Sequence, residues 1–218
     1  MSIRRAYNIV RQKVESDRRL TFEEFAILCR LELSGQPIKT SQIAEYQGAL
    51  RPTMTHRTNH LAELSLIERG EGTEDRRNVV CSITDEGRKA VKELSTLTCA
   101  QIPNGRALSR TSPERLLRYV DAMGAVFCKA GDLILLCLAQ TEDGSLTITE
   151  LVNELGFLQP TVSMSVSSLE DDGMVWRDAA GMRHMVAVKI SDAGRESARQ
   201  TVATIGSLVV RRSPRTRS

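Results

Sequence analysis

Residues 51–77 read RPTMTHRTNHLAELSLIERGEGTEDRR. Pro52 stands where proline is tolerated, in the first turn of a helix. Met54, Leu61 and Leu64 then recur at helical spacing and are expected to face inward. Thr53, Thr55, His56, Arg57, Asn59 and His60 fall on the opposite, polar face. Upstream, the segment SQIAEYQG follows Thr40-Ser41 as N-cap candidates and ends in Gly48, which suits a helix C-terminus. Helix, glycine turn and proline-started helix together form a helix-turn-helix. Downstream, IERGEGTEDRRNVVCSIT alternates in the strand manner on both sides of a polar tip, as expected of a two-stranded wing.

The same pattern occurs a second time. Residues 38–69 align with 146–177 at an offset of 108 without a gap. Gly48/Gly156, Leu50/Leu158, Pro52/Pro160, Thr53/Thr161, Leu61/Leu169 and Arg69/Arg177 are identical. Farther on, CSITDEGRKA and VKISDAGRES share I-x-D-x-G-R at offset 107, so one residue is lost in the charged loop between. A length change there places the loop on the surface. An internal repeat of this size predicts two copies of one folding unit. We expect residues 1–98 to form the first unit, 99–112 a linker, 113–210 a second, degenerate unit and 211–218 an Arg-rich tail. Each unit opens with two further helices, over about 2–17 and 21–34 in the first and 113–129 and 131–141 in the second. Ser112-Pro113 is a cap followed by proline. The fold class is mainly α with small β wings: two tandem winged helix-turn-helix units forming a pseudo-dimer.

The 218-residue chain is 41% hydrophobic and 26% charged, ordinary values for a globular protein. Aromatics are 4%, so aliphatic residues must fill the core. No apolar run reaches the ~18 residues that a membrane span needs, and no apolar h-region follows the basic residues near the start; a cytoplasmic protein with no membrane partner is expected. The net charge of +3 is unevenly spread. Residues 1–110 carry 18 Lys+Arg against 14 Asp+Glu, and residues 111–218 carry 12 against 13. The first half is therefore the better partner for a polyanion.

Leu50-x-Pro52-Thr53-Met54-Thr55, Leu61, Leu66-Ile67-Glu68-Arg69, Glu74-Asp75-Arg76-Arg77 and Ile83-Thr84-Asp85-Glu86-Gly87-Arg88 together resemble the multiple-antibiotic-resistance regulator (MarR) family. The likeness spans about residues 20–95 and, more weakly, 131–200. It implies a winged-helix transcriptional regulator that binds double-stranded DNA and dimerises through its terminal helices. Two such units in one chain are similar to the two-domain staphylococcal accessory (Sar-type) regulators. The chain is then a pseudo-dimer by itself, or a homodimer.

A recognition helix presents its N-terminal residues to base edges in the major groove. Arg51, Thr53, Thr55, His56, Arg57, Asn59 and His60 are the expected DNA-facing residues, with Ser41 at the preceding helix. Hydroxyls reach phosphates or bases, Asn reads adenine, and Arg reads guanine or phosphate. In the wing, Asp75 and Arg77 lie two apart and share a face of an extended strand. Such an Asp can hold and aim the guanidinium. The resemblance implies that Asp75 orients Arg77 into the minor groove, with Arg76 near phosphate; a narrow groove favours arginine there.

The second unit departs from this pattern. QPTVSMSVSSLEDD has no Lys or Arg, Met164 replaces His56, and the loop lacks an Asp-x-Arg pair. Because phosphate neutralisation dominates DNA affinity, this unit should bind weakly. It either serves as a fixed partner for the first unit, or two chains pair so that both first units read a palindrome. The alternative class is a winged-helix protein-interaction adaptor with weak DNA binding. The Arg-rich tail adds nonspecific phosphate contacts or is simply solvated.

No Gly-rich phosphate loop, metal-ligand spacing or paired nucleophile and base is present, so neither an enzyme nor a cofactor is expected. Cys29, Cys128 and Cys137 sit among apolar residues and read as buried thiols; Cys99 is the expected exposed one. The resemblance also implies a small-molecule effector, but no residue marks its site.

Overall fold

The computed structural model describes residues 2–71, 79–105, 108–125, 129–178 and 186–207. The first unit comprises α1 (Ser2–Gln12), a short 3₁₀ turn (Ser16–Arg18), α2 (Phe22–Ser34), β1 (Ile38–Lys39), α3 (Thr40–Tyr46), α4 (Arg51–Glu63), β2 (Ile67–Glu71), β3 (Val79–Ile83) and α5 (Asp85–Ala100). The second comprises α6 (Pro113–Gly124), α7 (Ala130–Leu138), β4 (Ser145–Thr147), α8 (Ile148–Leu155), α9 (Gln159–Asp171), β5 (Val175–Asp178), β6 (Ala187–Ile190) and α10 (Asp192–Ser207). The chain is mainly α with two small winged-helix sheets.

Local chemistry places these boundaries. Thr21 and Glu24 form a capping box at the start of α2: Glu24 N donates to Thr21 Oγ1 (3.1 Å), and Thr21 N donates to Glu24 Oε2 (2.6 Å). Thr147 and Glu150 do the same for α8. Gly48 (φ 57°) and Gly156 (φ 66°) turn left-handed after α3 and α8. α4 and α9 then begin and end 108 residues apart, as the repeat requires. The expected cap at Thr40-Ser41 shifts by one residue. Lys39 occupies the N-cap position, and Thr40 Oγ1 instead donates to Val79 O (3.1 Å), tying α3 to the wing.

Each wing has three strands rather than two, because the residues before α3 and α8 add an edge. The order is β1-β3-β2 in the first unit and β4-β6-β5 in the second, all antiparallel. Ile38 pairs with Cys81 and Ile67 with Ile83; Leu146 pairs with Val188 and Val175 with Ile190.

The first helix of the second unit crosses into the first, and α1, packed in its own core, also touches the second. Leu116 and Val120 of α6 are fully buried in the first unit's core, against α2 and α5. Gly124 continues that stripe, and a Cβ there would lie 2.6 Å from Ala26 Cβ. Conversely, α1 reaches the end of α8: Asn8 Nδ2 donates to Leu155 O (3.0 Å) and Gln12 Nε2 to Gly156 O (2.6 Å), while Arg5 donates to Asn153 O. Its other face carries Tyr7, stacked on Phe25 at 4.9 Å and edge-on to Phe22. Ile102, in the expected linker, is also buried in the first core. A separate core, from Leu133 to Ala198, holds the rest of the second unit.

Candidate nucleic-acid interface

α4 is anchored by Met54, Thr58 and Leu61, all buried, with Leu64 packed at the edge of the core. Thr58 can be buried because its hydroxyl donates back to Met54 O (3.0 Å). The opposite side at the helix start exposes Arg51, Thr53, Thr55, His56 and Asn59, and Ser41 is exposed at the start of α3. Ser41, Thr40, Arg51, Thr55 and Arg69 line one cleft between the two helix starts and the wing.

Three of the expected contact residues also brace the helix. Arg57 is half-buried and donates to Gln47 Oε1 (2.9 Å); the buried Gln47 donates in turn to Glu23 O (2.9 Å). His60 Nδ1 lies 2.8 Å from Glu24 Oε1, and that hydrogen bond holds its pKa above the ordinary histidine value. His60 thus turns toward α2, away from the exposed face, because the buried carboxylate needs a partner. Asn59 Oδ1 accepts from Arg69 of β2. Asp75, Arg76 and Arg77 lie outside the described residues; β2 and β3 lead to and from them.

Arg69, which lines the same cleft, was not among the expected contact residues. Its signal was present, because Arg69/Arg177 is one of the six identities between the repeats. The two arginines differ in environment. Arg177 pairs with Glu170 and also donates to Ser167 Oγ (2.9 Å). Ser167 is the repeat counterpart of Asn59, and Glu170 that of Ala62. Among the described residues, the second unit therefore pairs this arginine with a carboxylate, whereas the first sets it against a neutral amide. It also exposes Met164, 74% accessible, where the first unit has His56.

A second cleft, of about 400 Å³, opens between α1, α5 and the end of α4, with Tyr7, Arg11, Arg18, Leu64, Leu66 and Leu97 on its walls. These residues are distant in sequence, so no motif marked it. Of the cysteines, Cys29, Cys81 and Cys137 are buried and Cys99 is half-buried; Cys128 lies outside the described residues. Burial pushes the Cys29, Cys81 and Cys99 thiols up.

The helix-turn-helix, its exposed N-terminal face and the first wing strand all lie within residues 20–79, the segment that matches the MarR family model. Residues 20–79 are a MarR-family domain. Residues 133–176, which hold the second helix-turn-helix, match a model described as bacterial regulatory protein, arsR family. The MarR-type unit and its partner unit together carry the character of a DNA-binding transcriptional regulator. No curated protein matches the chain. Among solved structures, the chain is similar to the YusO protein from Bacillus subtilis, at 27% identity over 53% of this chain and 76% of that one, with a TM-score of 0.39. It is similar to the transcriptional regulator PA4135 at 21% identity over 48% and 74%, with a TM-score of 0.36. It is also similar to Bordetella bronchiseptica BpsR, whose DNA binding is regulated by 6-hydroxynicotinic acid, at 23% identity over 54% and 86%, with a TM-score of 0.39. No helix among the described residues is long and apolar enough to cross a membrane.

Proposed function

We propose that the MarR-type unit reads double-stranded DNA and that the second unit does not. The observation that carries this reading is the contrast between repeat-equivalent surfaces. The start of α4 exposes Arg51, Thr53, Thr55, His56 and Asn59, whereas α9 exposes Met164, and the second unit neutralises Arg177 through Glu170. On this reading α4 enters the major groove with Thr53, Thr55 and His56 toward base edges. Arg51 and Ser41 meet phosphate, and the Asp75–Arg77 wing enters the minor groove. Arg57, Asn59 and His60 set the orientation of the helix as well as bordering the groove. An effector bound beside Leu64 and Leu66 would touch α1, α5 and the end of α4 together, which suits that cleft to regulation.

The test is binding to duplex DNA from the chain's own upstream region over a salt series. Arg51→Ala should weaken binding and lower the log–log salt slope by roughly one unit, as should Arg77→Ala if it meets a phosphate. Met164→Ala should leave both unchanged. Wild-type slopes retained by both arginine variants would overturn the assignment.

A further inference from the structure

α6 of the second unit meets the helix-turn-helix of the first. The Tyr46 hydroxyl donates to the backbone carbonyl of Asp121 on α6 (3.1 Å). Tyr46 is the last residue of α3, so the contact falls just before the turn into α4. Arg30 of α2 closes a triangle: its guanidinium lies 3.6 Å from the centroid of the Tyr46 ring, and its Nη1 lies 3.4 Å from Asp121 Oδ2. Gln47, the next residue after Tyr46, is buried, and a Cβ on Gly124 of α6 would lie 3.6 Å from its Nε2. Gln47 in turn accepts from Arg57 on α4. α6 therefore abuts both residues that end α3, and the second of them holds the reading helix.

This triangle is poorly suited to holding the core together. The Asp121 side chain is only 13% exposed, its Oδ1 has no hydrogen-bond partner among the described residues, and burial pushes its carboxyl up. Desolvation offsets the attraction that such a buried carboxylate gains, and apolar side chains of similar size often stabilise as well or better. Leu116 and Val120 on the same helix already supply the apolar anchor. What the ion pair adds is register, because its geometry is satisfied at one setting of the helices only. The second unit has no equivalent relay: Leu155 stands where the first has Gln47 and Ser165 where it has Arg57, and a leucine side chain makes no hydrogen bond to α9. We propose that Tyr46, Asp121 and Arg30 are positioning residues for DNA reading, through which the second unit sets the angle at which α3 presents α4. The consequence for DNA rests on the reading proposed above; the contact itself does not.

The test uses the full chain and two variants: Tyr46→Phe, which removes one hydroxyl, and Arg30→Met/Asp121→Leu, which replaces the ion pair by apolar groups. Without DNA, both should speed amide hydrogen exchange in α3 and leave it unchanged in α5, and the double variant should melt no lower than the wild type. On duplex DNA from the chain's own upstream region, both should bind about three- to tenfold more weakly, the range of one net hydrogen bond. Both should keep the wild-type salt slope, since no phosphate contact is removed. Undiminished stability with diminished affinity is a combination that loss of structure alone does not produce. Wild-type exchange in α3, or wild-type affinity, in either variant would overturn the proposal. A double variant that melts lower than the wild type would overturn it too, by making the triangle a stabilising core contact. A wild type without salt-dependent binding to the duplex would count against the DNA reading instead, and the exchange measurement would still decide whether α6 holds α3.

Discussion

Gly48 and Gly156 occupy the same position in the two units and adopt the same left-handed backbone, with φ of 57° and 66°. Alanine at either site incurs the left-handed cost of roughly 1–2 kcal/mol. Only the surroundings differ. A Cβ at Gly48 meets nothing within 4 Å, whereas at Gly156 it would lie 2.7 Å from Arg5 O and 3.3 Å from Ile9 Cγ1. Arg5 O belongs to the α1 backbone and cannot rotate away, so α1 must shift. A shift strains the Gln12–Gly156 and Asn8–Leu155 hydrogen bonds, which are 2.6 and 3.0 Å long. Overpacking of this kind costs about 1–3 kcal/mol. Gly156→Ala should therefore destabilise by about 1–3 kcal/mol more than Gly48→Ala. Urea unfolding would measure this, followed by circular dichroism and by the fluorescence of Trp176, the single tryptophan, which reports on the second unit. Equal costs, within about 0.5 kcal/mol, would refute the docking of α1 on α8.

The α6 crossing predicts a compensating pair. Gly124→Ala places a Cβ 2.6 Å from Ala26 Cβ and should cost about 1–3 kcal/mol, and Ala26→Gly in the same chain should recover part of it in a double-mutant cycle; additive costs would show that α6 does not approach α2 so closely. His60 predicts a pH dependence. Its folded pKa is raised by Glu24, so its contribution is fully present below the unfolded value near ~6.5 and is lost as pH rises through the folded pKa. Melting temperatures between about pH 6 and 8 should fall with rising pH more steeply in the wild type than in His60→Gln, and parallel profiles would disprove the ion pair.

Much of this molecule was legible from periodicity and self-comparison. The αL glycines at 48 and 156, the proline-started helices and the wing flanks all follow from backbone preferences, and those preferences act locally. Hence α4 and α9 could be placed to within a residue or so, and Met54 and Leu61 could be assigned to the inside. Side-chain roles across elements were less legible. His60 and Arg57 read as exposed groove residues, yet Glu24, 36 residues before His60, and Gln47, across the turn from Arg57, draw them toward α2 and α3. The third wing strand was missed because a two-residue edge has no periodicity of its own.

The sequence by itself determined that there are two units, where each helix-turn-helix lies, and that only the first carries Arg and His along its second helix. Those features depend on residue type and spacing, which are written along the chain. Only the tertiary structure decided that α6 completes the first core, that α1 clasps α8, that Arg69 meets a neutral amide while Arg177 meets a carboxylate, and that Tyr46 meets Asp121 of α6. Each of these depends on which distant surfaces meet, and packing free energy selects that only when the whole chain has folded.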